Sequence, residues 1–156
     1  MAEPQTFFIS RAGADRDFAG WLSDHLKHDG HTVILQDETF GHQDFIAAMD
    51  AAFKSGARIV ALYSPAYHES KHCLAEARHP LGDDPANTSQ QLVPILIEAC
   101  APTGILKNIA YTNLLPARAL KDERVVKREI WLALGLIDAE ATPLPPPSGG
   151  EGVVHR

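Results

Sequence analysis

The sequence predicts an α/β fold with a five-stranded parallel sheet and helices on both faces. Short apolar segments alternate with amphipathic ones along the chain, which is the order of strand–helix–strand units. The segment RIVALY (58–63) is apolar almost throughout, as expected of a strand that is buried on both faces of a parallel sheet. Five strands in about 135 residues are typical of a flavodoxin-like, doubly wound sheet.

The first half of the chain predicts three strands and two helices in alternation. The strands are TFFIS (Thr6–Ser10), the β-branched HTVIL (His31–Leu35) and RIVALY (Arg58–Tyr63). Apolar side chains at helical spacing predict the two helices, at Ala14–Asp29 and Gln43–Ser55. Each helix is followed by a glycine, Gly30 or Gly56, as is common at helix ends.

The second half of the chain continues the pattern. Pro65 ends the third strand, because proline cannot extend a central strand. A short helix is predicted at Ser70–His79, strands at Leu92–Ile97 and Ile109–Leu114, and a last helix at Asp122–Leu134. The sequence then becomes rich in Pro and Gly (AEATPLPPPSGGEGVVHR), so we expect a domain at residues 1–138 and a disordered linker or tail at residues 139–156.

Composition excludes several classes of protein. Two cysteines are too few for a disulfide-dense secreted scaffold, and a net charge of −6 argues against nucleic acid as a direct partner. No apolar run approaches the roughly 20 residues that span a bilayer, and the start lacks a basic segment followed by an apolar one. We therefore expect a cytoplasmic protein without a membrane segment.

Several common functional motifs are missing. The chain has no GxGxxG, GxxxxGK[ST] or GxSxG, and its first strand ends in Ser10 and Arg11 rather than in the acidic cluster of a receiver domain. His68, His72 and Cys73 are close in sequence but lack a fourth ligand, so we expect no metal site.

One segment after the third strand carries candidate chemistry. In SPAYHESKHCLAE, Cys73 and Glu76 are three residues apart and are expected to share a helix face near the carboxyl end of that strand. Spacing alone leaves two interpretations open, a functional carboxylate or an ordinary surface residue of a helix.

Three segments resemble the Toll/interleukin-receptor (TIR) domains of bacterial proteins. They are FFISRAGADRDFAGWL (7–22), VILQDETFGHQDFIAAMDAAF (33–53) and RIVALYSPAYHESKHCLAE (58–76), which occur in the family's order and spacing. The resemblance covers about residues 5 to 135 and implies the TIR fold. The chain departs from many members of the family at three places. It lacks Pro-Gly in the second loop, and it has Asp37 and Ala77 where many members have tryptophan.

The resemblance also implies an activity and a site. Many TIR domains cleave NAD as a substrate, without another cofactor, into nicotinamide and ADP-ribose or a cyclic variant. By position, Glu76 corresponds to the catalytic glutamate, and Ser10, Arg11, Phe40, Tyr67 and Cys73 are candidate NAD-binding residues. Arg11 is expected to face the pyrophosphate, and Phe40 to stack on nicotinamide or adenine.

The family also implies partners. TIR domains self-assemble, and active members build the site between two protomers, so we expect a homo-oligomer. The resemblance implies that a sensor domain or partner chain beyond the Pro-rich segment triggers this self-assembly, in a setting of prokaryotic antiviral defence. The alternative is a signalling module that works through TIR–TIR contacts without enzymatic activity.

Overall fold

The sheet has five parallel strands in the order β2-β1-β3-β4-β5. The computed structural model describes residues 4–35, 42–54 and 56–137. The strands are β1 (Thr6–Ser10), β2 (Thr32–Leu35), β3 (Arg58–Tyr63), β4 (Leu92–Leu96) and β5 (Thr112–Asn113). The predicted doubly wound, flavodoxin-like fold is therefore confirmed.

Six α-helices and three 3-10 helices are present in the described residues. The α-helices are α1 (Arg16–His28), α2 (His42–Phe53), α3 (Pro65–Glu69), α4 (Lys71–Arg78), α5 (Leu115–Ala119) and α6 (Glu123–Ala133). The 3-10 helices are Gly13–Asp15, His79–Leu81 and Gly104–Asn108. Within the described part of the chain, every helix is too short or too polar to cross a membrane.

The alternation of side chains along the strands creates one core on each face of the sheet. Phe7 and Ile9 of β1 pack in the core formed with α1, α5 and α6. Phe8 packs in the other core, with α2, α3 and α4. Since neighbouring strand residues point to opposite faces, Ser10 lies on the face of Phe8 and therefore points towards the side of the sheet that α4 covers.

Two predicted elements differ from the structure. The helix predicted at Ser70–His79 is preceded by a separate helix, α3, because Ser64 Oγ accepts a hydrogen bond from the Tyr67 N–H at 3.2 Å and caps a turn that begins at Pro65. Ser70 is extended, with φ −96° and ψ 119°, and caps α4 through a 3.1 Å bond from the Cys73 N–H.

The fifth strand was predicted too long. It was expected at Ile109–Leu114, but β5 contains only two residues. A 3-10 helix precedes it, and the Ile109 N–H donates to the Leu106 carbonyl at 3.2 Å, so this backbone group is used in a turn rather than in the sheet.

The short β5 covers only part of one edge of β4, whose other edge pairs with β3 along its whole length. On the β5 side, only Ile95 and Leu96 have strand partners. Earlier in β4, the side chain of Asn87 takes the place of a strand, since its amide accepts from the Leu92 N–H at 3.2 Å and donates to the Leu92 carbonyl at 2.8 Å. Asn87 holds this position with a left-handed backbone, φ 56°, which Asn tolerates better than most residues.

Candidate functional site

The candidate site lies where the connections from β1 and β3 leave the sheet in opposite directions. β1 lies between β2 and β3, so the chain order of the strands reverses between β1 and β3. Doubly wound sheets bind ligands in the crevice that this reversal opens at the carboxyl ends of the strands. Here the crevice is bordered by the loop after β1 and by α3 and α4 after β3.

Glu76 is a buried carboxylate at this crevice. It lies on α4 with only 1% of its surface exposed, and the hydroxyl of Ser10, at the end of β1, donates to its Oε1 at 2.6 Å. Buried carboxylates are rare in proteins, and they are retained where hydrogen bonds or charges compensate the loss of water. Glu76 and Cys73 are both buried, as their predicted common helix face requires.

Tyr67 joins the same group of polar atoms from α3. Its Oη lies 2.8 Å from Ser10 Oγ and donates to the Cys73 carbonyl at 3.0 Å. Burial raises the pKa of the Tyr67 phenol well above its ordinary value, so this group is a neutral donor at physiological pH. Tyr67 is fully buried and is not among the residues that border the cleft described below.

An open cleft of about 370 Å³ lies next to this group, bordered by Cys73 but not by Glu76. The cleft is lined by the loop after β1 and the junction of α3 and α4: Arg11, Ala12, Gly13, Ala66, Glu69, Ser70, His72 and Cys73. The Cys73 thiol donates to the Arg11 carbonyl at 3.3 Å. Burial raises the pKa of the Cys73 thiol to about 11; the Glu76 carboxylate also raises it, whereas Arg11 lowers it. The thiol is therefore protonated at neutral pH and unsuited to act as a nucleophile.

The structure brings four of the five candidate binding residues to this crevice. Arg11 and Cys73 border the open cleft, while Ser10 and Tyr67 lie behind it, in contact with each other. Phe40, the fifth, lies outside the described residues. Among the residues that the structure describes, no three His, Cys, Asp or Glu side chains are grouped to hold a metal ion.

Sequence reasoning missed two polar residues that shape the crevice. The Ser64 hydroxyl donates to Asp15 Oδ2 at 2.6 Å, and both side chains are buried. The same hydroxyl caps α3, so Asp15 fixes the start of the helix that carries Tyr67. The signal was the Ser-Pro pair, because serine before proline is a common beginning of a helix as well as an end of a strand.

Comparison with known proteins agrees with this architecture. No functionally curated protein matches the chain. The sequence profile of the TIR domain matches residues 7–127, which include every described strand except Thr6 at the start of β1. This match covers more than half of the chain and includes the loop after β1, α3 and α4. The chain therefore belongs to the TIR domain family.

Proposed function

We propose that this TIR domain is an NAD glycohydrolase and that Glu76 is its catalytic residue. The observation that carries the proposal is the Glu76 carboxylate at the strand reversal, buried and held by the Ser10 hydroxyl at 2.6 Å. Membership of a family that includes NAD-cleaving enzymes supports it, as does the position of Arg11 on the adjoining cleft.

The chemistry needs little more than a well-placed negative charge. The nicotinamide of NAD is already cationic and leaves as a neutral base, so no general acid is required. The ribose develops positive charge as the bond to nicotinamide breaks, as in glycoside hydrolysis. A carboxylate in a site of low polarity stabilises that charge strongly, and the Arg11 guanidinium is suited to the pyrophosphate. Attack by water gives ADP-ribose, and attack by a group of the same molecule gives a cyclic product.

The burial of Glu76 supports a requirement for assembly. Only 1% of its surface is exposed, and it does not border the cleft that Cys73 lines. We propose that self-association through TIR–TIR contacts rearranges the wall of the cleft around Cys73. In this proposal a sensor domain or partner chain triggers assembly in the cytoplasm during prokaryotic antiviral defence.

The same burial favours a second candidate function, a signalling module without enzymatic activity. A carboxylate that does not border the described cleft can also serve the fold, through its contact with Ser10. In that case the chain would act only through contacts with other TIR domains.

Measuring nicotinamide release from NAD tests the proposal. The purified chain would be assayed at high concentration with a crowding agent, with light scattering to follow assembly. We expect Glu76→Gln to assemble normally and to lose at least about 100-fold in rate, since removing one stabilising group of this kind costs that much in other enzymes. Glu129→Gln, which changes a partly exposed carboxylate on α6, is the matched control and should leave the rate unchanged.

Two results would contradict the proposal. If the assembled wild type released no nicotinamide, the signalling function would be favoured. If Glu69→Gln abolished release and Glu76→Gln did not, the reacting carboxylate would be the exposed Glu69 on the cleft rather than the buried Glu76.

A further inference from the structure

The hydroxyl of Ser10 connects Glu76 to Tyr67. Ser10 Oγ lies 2.6 Å from Glu76 Oε1 and 2.8 Å from Tyr67 Oη. A serine hydroxyl has a single hydrogen, and here that hydrogen is donated to the carboxylate. Tyr67 Oη also carries a single hydrogen, which it donates to the Cys73 carbonyl at 3.0 Å. The 2.8 Å contact with Ser10 Oγ therefore places the phenol against the hydroxyl that holds Glu76.

The surroundings of Tyr67 hold its phenol in this position. Its Oη donates to the Cys73 carbonyl at 3.0 Å and contacts Ser10 Oγ at 2.8 Å. Burial keeps the phenol protonated, and the ring is fully enclosed beside Tyr63, with ring centroids 5.6 Å apart. The cap from Ser64 fixes the backbone of Tyr67 as well.

We propose that Ser10 and Tyr67 are positioning residues that orient the Glu76 carboxylate, rather than residues that bind NAD. The inference rests on the proposed function, and it revises the expectation that both side chains line the substrate pocket. Both hydroxyl hydrogens are already engaged, that of Ser10 with Glu76 Oε1 and that of Tyr67 with the Cys73 carbonyl, so neither is left to donate to a substrate. The bond from Ser10, with Tyr67 against its oxygen, instead holds the carboxylate in one place.

The chain offers matched controls for both hydroxyls. Among the described residues, the buried Ser23 Oγ and Tyr63 Oη have no hydrogen-bond partner. Ser23→Ala and Tyr63→Phe thus remove the same atoms as Ser10→Ala and Tyr67→Phe, from equally buried side chains, without touching Glu76. A difference within the serine pair reports the bond from Ser10 to Glu76, and one within the tyrosine pair reports the contacts of Tyr67 with Ser10 and the Cys73 carbonyl, rather than the loss of a buried hydroxyl in general.

Steady-state NAD cleavage by these variants tests the proposal. We expect kcat to fall about 10- to 100-fold in Ser10→Ala, which loses the bond to the carboxylate, and about 3- to 10-fold in Tyr67→Phe. KM should change less than twofold in both, because neither residue touches NAD. Ser23→Ala and Tyr63→Phe should keep kcat within twofold of the wild type.

The carbon NMR signal of the Glu76 side-chain carboxyl gives a second readout, independent of activity. It is identified as the signal that Glu76→Gln lacks. It should shift in Ser10→Ala and Tyr67→Phe and remain in place in both controls. If the wild type proves inactive, the proposed function fails, and the NMR comparison still decides whether the two residues position Glu76.

Three results would overturn the inference. The first is a rise in KM at constant kcat, which indicates direct binding of NAD. The second is an equal loss of kcat in a variant and its control, which indicates a general effect on the fold. The third is an unmoved carboxyl signal in Ser10→Ala.

Discussion

Replacing Cys73 with alanine should destabilise the fold by an amount that depends on pH. At pH 7.5 the replacement removes the hydrogen bond to the Arg11 carbonyl and the packing of the sulfur of a residue that is 5% exposed, at a cost of about 1–2 kcal/mol. The pH dependence arises because burial, together with the negative charge of Glu76, raises the pKa of this thiol from 9.0 to about 11.

The sign and size of the change follow from that pKa. A group whose pKa is raised on folding stabilises the folded state. This contribution to the free energy of unfolding is complete at pH values below the unfolded pKa and is lost as the pH rises through the folded pKa. At pH 10, one unit above the unfolded value of 9.0, the wild type has lost about 1 kcal/mol through Cys73. Alanine cannot ionise, so the cost of Cys73→Ala should be smaller at pH 10 by about 1 kcal/mol.

Urea unfolding of the wild type and Cys73→Ala at pH 7.5 and pH 10 measures this difference. Cys100→Ala is the control, since this second cysteine is only partly buried and should give a smaller dependence on pH. An equal cost of Cys73→Ala at the two pH values would refute the reasoning, because it would mean that the thiol ionises as readily in the folded chain as in the unfolded one.

Three further replacements test other contacts of the fold. Asp29→Ala removes the acceptor of the Trp131 Nε1–H bond (2.9 Å) and should cost about 1 kcal/mol in urea unfolding at pH 7. Burial raises the pKa of the Asp29 carboxyl, but the hydrogen bond from Trp131 helps to lower it, and the pKa in the folded chain lies below its ordinary value. The cost of Asp29→Ala should therefore be lost as the pH falls from about 4 through the folded pKa. An equal cost at pH 7 and pH 3 would contradict this expectation. Ser64→Ala should cost about 2 kcal/mol, because it removes the cap of α3 and leaves the buried Asp15 without that donor. Ser70→Ala, which removes only the cap of α4, should cost about 1 kcal/mol, and equal costs for the two serines would show that the contact with Asp15 adds nothing.

The arrangement of strands was predictable because the signals for it are local. The bounds of β1 and β3 agree with the prediction, since each is a short apolar run that ends at a polar residue or a proline. The predicted length of β5 was wrong for the same reason. Leu106 and Ile109, which precede it, pack in the core from a 3-10 turn, and local sequence does not distinguish that arrangement from a strand.

The candidate site was only partly predictable. The shared helix face of Cys73 and Glu76 follows from a spacing of three residues. The contacts of Glu76 do not, because Ser10 is 66 residues away in the chain and reaches it only through the packing of α4 on the sheet. Likewise, Tyr67 meets Ser10 across 57 residues, and nothing in either local sequence indicates which of the two hydroxyls donates.

The side chain of Asn87 affects how copies of this domain can meet. An open strand edge invites another chain to add a strand, which is a common route to aggregation. Here Asn87 occupies the free N–H and carbonyl of Leu92, and Pro94, two residues further along β4, has no N–H to offer. A neighbouring chain would have to displace Asn87 before it could continue the sheet at this edge. The structure therefore disfavours ribbon-like growth of the sheet along β4.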